Sequence, residues 1–468
     1  MILEIFNPKL GICKEDWHMK VKLLDKQGFI GQRKVLENWT KGFNDRDGKI
    51  IREFQKSFHS SFWEFYLYTM FTEIGFQSDM THPAPDFIIT EPYKINVEAV
   101  IANIREKGRQ EETRDMYDIL SMITPPFAQA DFYEELDESI FRMSNAIIKK
   151  YKKFLKDYSK HEWMEKEVPY VIAACSFDQV NYGREYTYPM LALLYGCYYN
   201  SKDDTFDRKE IIKKPGAEKD IQLGLFLDSE YSEVSAIIYS STLTIGKLTA
   251  MHISQGGDSN NIVLQLWKDN NNPEKPYAMN VVSPETPELL TEGVFVFHNP
   301  FAKYPLPLDT FKKNGIVQYY IKDGELCIDA ILETITRLDF PKDMMAHFYP
   351  YIEQQLNLYN RLDIYDIYNP SNKNINFEKY CSVFLIIQTV ENEVFGINYE
   401  GNNTESNNEI IKDAENEFRS ICEHINRLQD KLVEVIIARN QQEFDTVIEK
   451  YQQIINMSDF NQNIPTQN

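Results

Sequence analysis

Apolar positions along the 468-residue chain follow two rhythms. A dense run from Phe62, FWEFYLYTMFTEIG, has the length and spacing of a helix and stops near Gly75. A Pro-rich turn, HPAPD, then opens into the apolar run FIIT, and a short turn at Glu91-Pro92 leads to KINVEAV. Strand, turn and strand predict a hairpin. Further on, VPYVIAACSF (168–177), SEVSAIIYSS and GVFVFHNP are continuous apolar runs of strand length, the pattern of strands covered on both faces. Between them, ESIFRMSNAIIKKYKKFLKDY reads as a long helix. Arg142, Asn145, Ala146 and Lys149 fall at i, i+3, i+4 and i+7 on one face, with Ile140, Met143, Ile147 and Ile148 adjoining. REYTYPMLALLYGCYY is a second, apolar helix, followed by a polar insertion suited to a loop or small hairpin. Residues 1–60 are mixed, with a helix ending near Phe58 and a turn-rich surface loop, WTKGFNDRDGK, before it. Strands alternating with helices predict an α/β fold with a mixed sheet.

Beyond residue 330 glycine becomes rare and the pattern predicts helices: DAILETITRLDF, MMAHFYPYIEQQLNLYNRL and NFEKYCSVFLIIQTVENEVF. A polar stretch at 399–408 reads as a linker. Phe418, Ile421, Ile425, Leu428, Leu432 and Val435 then step by three and four, and Phe444, Val447, Tyr451 and Ile454 repeat the spacing. This predicts an antiparallel helical hairpin or short coiled coil, able to pack on its own subunit, dimerise or hold a protein partner. The expected division is an α/β domain over 1–330 with an N-terminal helical part, a helical region over 331–398, and the hairpin over 409–457.

Composition narrows the classes. The longest apolar run falls short of the ~20 residues a membrane-spanning helix needs, and the N-terminus lacks the basic-then-apolar pattern of a signal peptide. Six cysteines are scattered without a C-x-x-C pair, which argues against a structural zinc site or a disulfide framework and for a reducing cytoplasm. The net charge of −21 means that any nucleic-acid contact must use a local basic patch and weaken with salt. Lys149, Lys150, Lys152, Lys153 and Lys156 form the clearest such patch, a candidate for phosphate-backbone contact. No P-loop, dinucleotide fingerprint or H-E-x-x-H motif occurs.

The predicted hairpin carries candidate chemistry. Asp86 stands at the entry of its first strand and Glu98 near the exit of the second, so pairing brings both carboxylates to one end of the sheet, a site for Mg²⁺ or Mn²⁺. His298, ending a strand beside Asn299, is a candidate general base or substrate contact.

Pro85-Asp86, with Glu98-Ala99-Val100 following and Glu64 on the upstream helix, resembles the PD-(D/E)XK nuclease superfamily, the restriction-endonuclease-like fold. The motif's lysine position holds Val100. PAPDF, NVEAV, RMSNAIIKKY, PYVIAACSF, PMLALLYG, SEVSAIIYSSTLTIGK and FVFHNP in this order resemble, over roughly residues 38–310, a poorly characterised bacterial and phage family. That family pairs a Glu-Ala-Thr-Thr-like motif with an Arg-x-x-Ser-Ala-x-x-x-Lys-like helix. The resemblance implies that the lysine has moved to Lys149, with Arg142 earlier on the same face, near Asp86 and Glu98, while Lys150 and Lys153 point into solvent. It implies a metal-dependent nuclease, acting first of all on DNA, in a setting of antiphage defence. Asp86 and Glu98 would hold the metal, Glu64 would orient its water, Lys149 would stabilise the reacting phosphate, and Arg142, Lys150, Lys153 and His298 would contact substrate. The missing motif lysine and the acidic balance keep a rival open: a non-catalytic interaction or nucleic-acid-binding module of the same fold.

Overall fold

The computed structural model describes residues 2–105, 108–181, 183–213, 220–273, 275–360, 376–388, 394–424 and 431–447. The chain divides at Leu356 into two compact units.

The first unit is built on one mixed eight-stranded sheet. Its strands are β1 (Gln77–Asp79), β2 (Phe87–Glu91), β3 (Ile95–Asn103), β4 (Tyr170–Phe177), β5 (Ala236–Ser240), β6 (Val294–His298), β7 (Ile316–Lys322) and β8 (Glu325–Asp329), side by side in chain order. The predicted hairpin is β2–β3, antiparallel, with Phe87 opposite Val97. β3, β4 and β5 run parallel, β5–β6 antiparallel and β6–β7 parallel. Parallel neighbours need a crossover. Helix α2 (Phe132–Lys156) lies in the β3–β4 crossover and α3 (Tyr188–Tyr195) in the β4–β5 one, so β4 is buried along its whole length.

Alternation along the strands sorts the two faces. Val97, Ala99, Val171, Ala173, Ala236 and Ile238 join the N-terminal helices in one large core, with α1 (His59–Glu73) lying on β3. On the opposite face α2 lies over β3 and β4, and Phe154 stacks on Tyr170 with centroids 3.9 Å apart. The hydrophobic stripe of α2 is Met143, Ile147, Tyr151 and Phe154, which sets the helix's rotation. Gly196 caps α3 with φ +67°, a left-handed turn that favours glycine. The polar insertion forms two small hairpins, Cys197–Asn200 with Thr205–Arg208 and Ile211–Lys213 with Asp220–Gln222.

The helical reading beyond 330 is corrected. Leu332–Pro341 is a strand of a second sheet, paired with Asn261–Asp269, whose other edge carries Tyr277–Val281. The apolar positions Ile335 and Leu338 mimic a helical step, but Thr334, Thr336 and Arg337 beside them are buried too, as in a strand covered on both faces. Helix Met345–Tyr359 forms as expected. Between the two sheets lies α4 (Ile245–Ser254). Its Lys247 meets Glu288 at 2.5 Å, and Arg337 holds the other oxygen of Glu288 at 2.8 Å. Lys247 also donates to the carbonyls of Leu289 and Glu292, and Arg337 to that of Thr242, so these buried charges are satisfied.

The second unit, 357 onward, centres on a three-stranded antiparallel sheet with Tyr380–Gln388 between Val394–Asn402 and Lys431–Ala438. Helix Asn407–His424 buries Ile410 and Ala414 against it. The coiled-coil seam is therefore corrected: Leu432 and Val435 lie on a strand, within KLVEVIIA, a run rich in β-branched residues. Ile425, Leu428, Tyr451 and Ile454 lie outside the described residues. No helix among the described residues is long and apolar enough to cross a membrane.

Candidate active site around Asp86

The β2–β3 register, continued by one step beyond Phe87–Val97, faces Asp86 with Glu98. The Ala99 N–H donates to Asp86 Oδ2 at 2.8 Å, locking the first carboxylate onto the second strand. Period-two alternation places Glu98 on the face opposite Val97, beneath α2. There it is 2 % exposed. Lys150 Nζ lies 2.5 Å from its Oε1, and the Tyr158 hydroxyl donates to the same oxygen at 3.1 Å. Its other oxygen is buried without a hydrogen bond.

Glu64 comes from α1 on the other face and lines, with Asp86, Arg46 and Glu53, an open cavity of about 310 Å³. Asp86 thus stands between two environments: a solvent-facing pair with Glu64 and a buried pair with Glu98. Burial and the nearby Asp86 charge push the Glu64 carboxyl up to about 8. The same two causes raise Glu98, against the pull of Lys150 and Tyr158. Burial draws Lys150 down, but Glu98 and Asp86 outweigh it and raise its pKa. Lys150 therefore stays an ammonium.

The lysine is displaced by one residue from the expected one. Lys149 is exposed, on the wall of a separate surface hollow with Asn145 and Lys152. One helical residue is a rotation of 100°. Because the stripe of α2 is Met143, Ile147, Tyr151 and Phe154, Lys150 points to the sheet while Lys149 faces water. Arg142 pairs with Glu138 at 2.8 Å along its own helix instead of reaching the carboxylates. Lys153 is exposed, its ammonium 4.6 Å from the Tyr158 ring centroid. His298 is buried and bonded through Nε2 to Gln318 Oε1 at 3.0 Å. β6 is three strand positions from β3, roughly 14 Å away, so His298 is not part of the Asp86 cluster.

Two participants lie outside the sequence reading. Arg46, from the turn-rich loop, donates to the carbonyls of His82 at 2.7 Å and Pro85 at 3.2 Å and meets Asp86 Oδ1 at 3.3 Å. It clamps the Pro-rich turn and holds Asp86. Tyr158 sits in the 3₁₀ turn after α2. A polar aromatic just past a basic helix was the only local signal for it, and a lone arginine in a turn-rich loop carried none for Arg46.

The donor set suits a hard divalent ion, since it offers carboxylate oxygens and leaves Glu98 Oε2 without a partner. Glu64, Asp86 and Glu98 do not form a trio with oxygens all within 4.8 Å of one another. One ion would take one or two of these carboxylates and complete its shell with water and phosphate, the usual habit of Mg²⁺.

No protein-family model matches the chain, and no curated protein or solved structure matches it significantly.

Proposed function

We propose that the chain is a metal-dependent phosphodiesterase of restriction-endonuclease-like fold that hydrolyses nucleic acid, with DNA as the first substrate to test. The observation that carries this reading is the convergence of Lys150 on Glu98 directly beside Asp86, from three separate elements. A helix, the β2–β3 hairpin, a crossover helix and parallel β4 in this order support the fold assignment. Asp86 and Glu98 would hold Mg²⁺ or Mn²⁺, which when bound polarises the phosphate and acidifies a water. Glu64, at the cavity wall and raised to about 8, could accept a proton from that water in its ionised fraction, which grows with pH. Lys150 keeps its charge and can swing from Glu98 towards the phosphate as negative charge develops there. Arg46 fixes Asp86 and brings a second cation to the cavity rim. A defence setting rests on the family resemblance alone.

One observation favours the non-catalytic alternative. Glu98 is absent from the cavity wall and closed in by Lys150 and Tyr158, as in a structural ion pair. The deciding experiment incubates the full chain with single- and double-stranded DNA and RNA in Mg²⁺ or Mn²⁺, beside Asp86→Asn and Lys150→Met. Cleavage that requires metal and disappears in both variants supports hydrolysis. Cleavage that survives in Asp86→Asn overturns the site, and no cleavage of any substrate favours the binding module.

A further inference from the structure

At the N-terminal end of α1 lies a second polar cluster that the carboxylate site does not use. His59 begins α1, His18 precedes helix Met19–Leu24, and Glu111 belongs to the connection after β3. Three distant segments thus meet at one point. One ligand atom from each lies within 4.8 Å of the other two. His59 Nε2 is 3.4 Å and His18 Nε2 4.0 Å from Glu111 Oε2. The rings pack edge to face with centroids 5.3 Å apart, and Phe58 and Phe177 close the sides.

We propose that His18, His59 and Glu111 form a site for one first-row divalent transition ion of the zinc type. Two imidazoles select zinc, cobalt, nickel or iron over magnesium and calcium, which prefer oxygen throughout. His59 Nε2 is buried and, among the described residues, has only the loose 3.4 Å approach to Glu111 Oε2, without a well-aligned hydrogen bond, a contact that a metal between them would replace. Lys20 holds the other oxygen of Glu111, which aims Oε2 at the imidazoles. Its positive charge opposes the ion and tempers affinity. Both rings are kept uncharged: burial and His59 lower His18 to about 4, and burial and Lys20 lower His59. A neutral ring keeps one lone pair at neutral pH, on His18 at Nδ1. His18 Nδ1 accepts a long hydrogen bond, 3.3 Å, from the Lys20 amide. Metal at Nε2 would move the ring proton to Nδ1 and end that contact. Bound metal would staple the N-terminal segment and the segment around Glu111 to the helix that carries Glu64. This assignment is independent of the nuclease reading.

The test uses the full-length protein, stripped by chelator and titrated with Co²⁺, then Zn²⁺. One equivalent of Co²⁺ should give visible ligand-field absorption that Zn²⁺ abolishes, and Zn²⁺ should raise the thermal midpoint. Asp86→Asn should bind Co²⁺ as the parent does, which separates this site from the carboxylate one. Glu111→Gln and His59→Gln should each weaken binding by at least about 100-fold, since losing a group that merely orients a ligand already costs about 10–100-fold. X-ray absorption of the Zn²⁺-loaded parent should show two imidazoles, a readout that needs no variant to fold. Absence of the Co²⁺ band, an all-oxygen shell, or undiminished binding in both variants overturns the proposal.

Discussion

Two charged clusters share helix α1, and burial acts on them in opposite directions. At the helix start, His18 and His59 are pushed down and stay neutral. Five residues on, roughly 7.5 Å along the axis, Glu64 is pushed up to about 8, and Glu98 rises behind Asp86. Desolvation favours the uncharged form in both places, so it disarms bases and acids alike. What differs is the partner each cluster lacks. The imidazoles offer lone pairs to a soft-leaning cation, whereas the carboxylates crowd negative charge that a hard cation or a proton must relieve.

The strongest way to break this comparison is to remove Glu98. Glu98→Ala leaves Lys150 without its partner in a largely buried place and should lose about 3–5 kcal/mol of stability, measured by urea unfolding. A loss below about 1 kcal/mol would mean the ion pair is solvated. Next comes Arg46→Met, which frees the Pro-rich turn from its clamp. With hydrogen bonds to charged groups contributing about 1.5–3 kcal/mol, a loss of about 2 kcal/mol is expected by the same method, and none if water replaces the guanidinium.

The pH dependence sharpens the contrast. Glu64 and Glu98 have raised folded pKa values, so their contribution is complete below the ordinary carboxylate pKa of about 4.3. It is lost as pH climbs through their raised values, about 8 for Glu64. His18 and His59 have lowered ones, so their contribution is complete above about 6.5 and is lost as pH falls through the lowered values, about 4 for His18. In chelator, Glu64→Gln should flatten the alkaline loss and His18→Asn the acid loss, seen in unfolding midpoints from pH 4 to 9. Exchanged effects would sink the comparison. The smallest effect is expected from Lys149→Met, within about 0.5 kcal/mol of the parent, because that side chain faces water.

The hairpin and its paired carboxylates were legible because strand alternation and a short turn are local signals. The lysine was not, since Arg142, Asn145, Ala146 and Lys149 and the true stripe both obey helical spacing, and only packing on β3 and β4 chooses between them. Arg46 reaches Asp86 across 40 residues of chain, a contact with no local trace. His18, His59 and Glu111 escaped for the same reason. Past residue 330, apolar steps of three and four occurred on strands buried on both faces, where period says little and β-branched content says more. Leu332–Pro341 is such a case, and Lys431–Ala438, only half-buried, misled through the same apolar steps on a β-branched run.

The charge cluster of Lys247, Glu288 and Arg337 has a consequence for the order of synthesis. Its members lie 41 and 49 residues apart in sequence, and Arg337 rides on the strand Leu332–Pro341. Until that strand leaves the ribosome, Glu288 and Lys247 lack their third member, and Asn261–Asp269 is missing the neighbour that covers one edge. The eight strands of the large sheet end at Asp329, yet the body cannot close until about a dozen further residues have emerged. A nascent chain stalled at residue 330 therefore exposes an open sheet edge and half-paired ions, a state suited to chaperone capture.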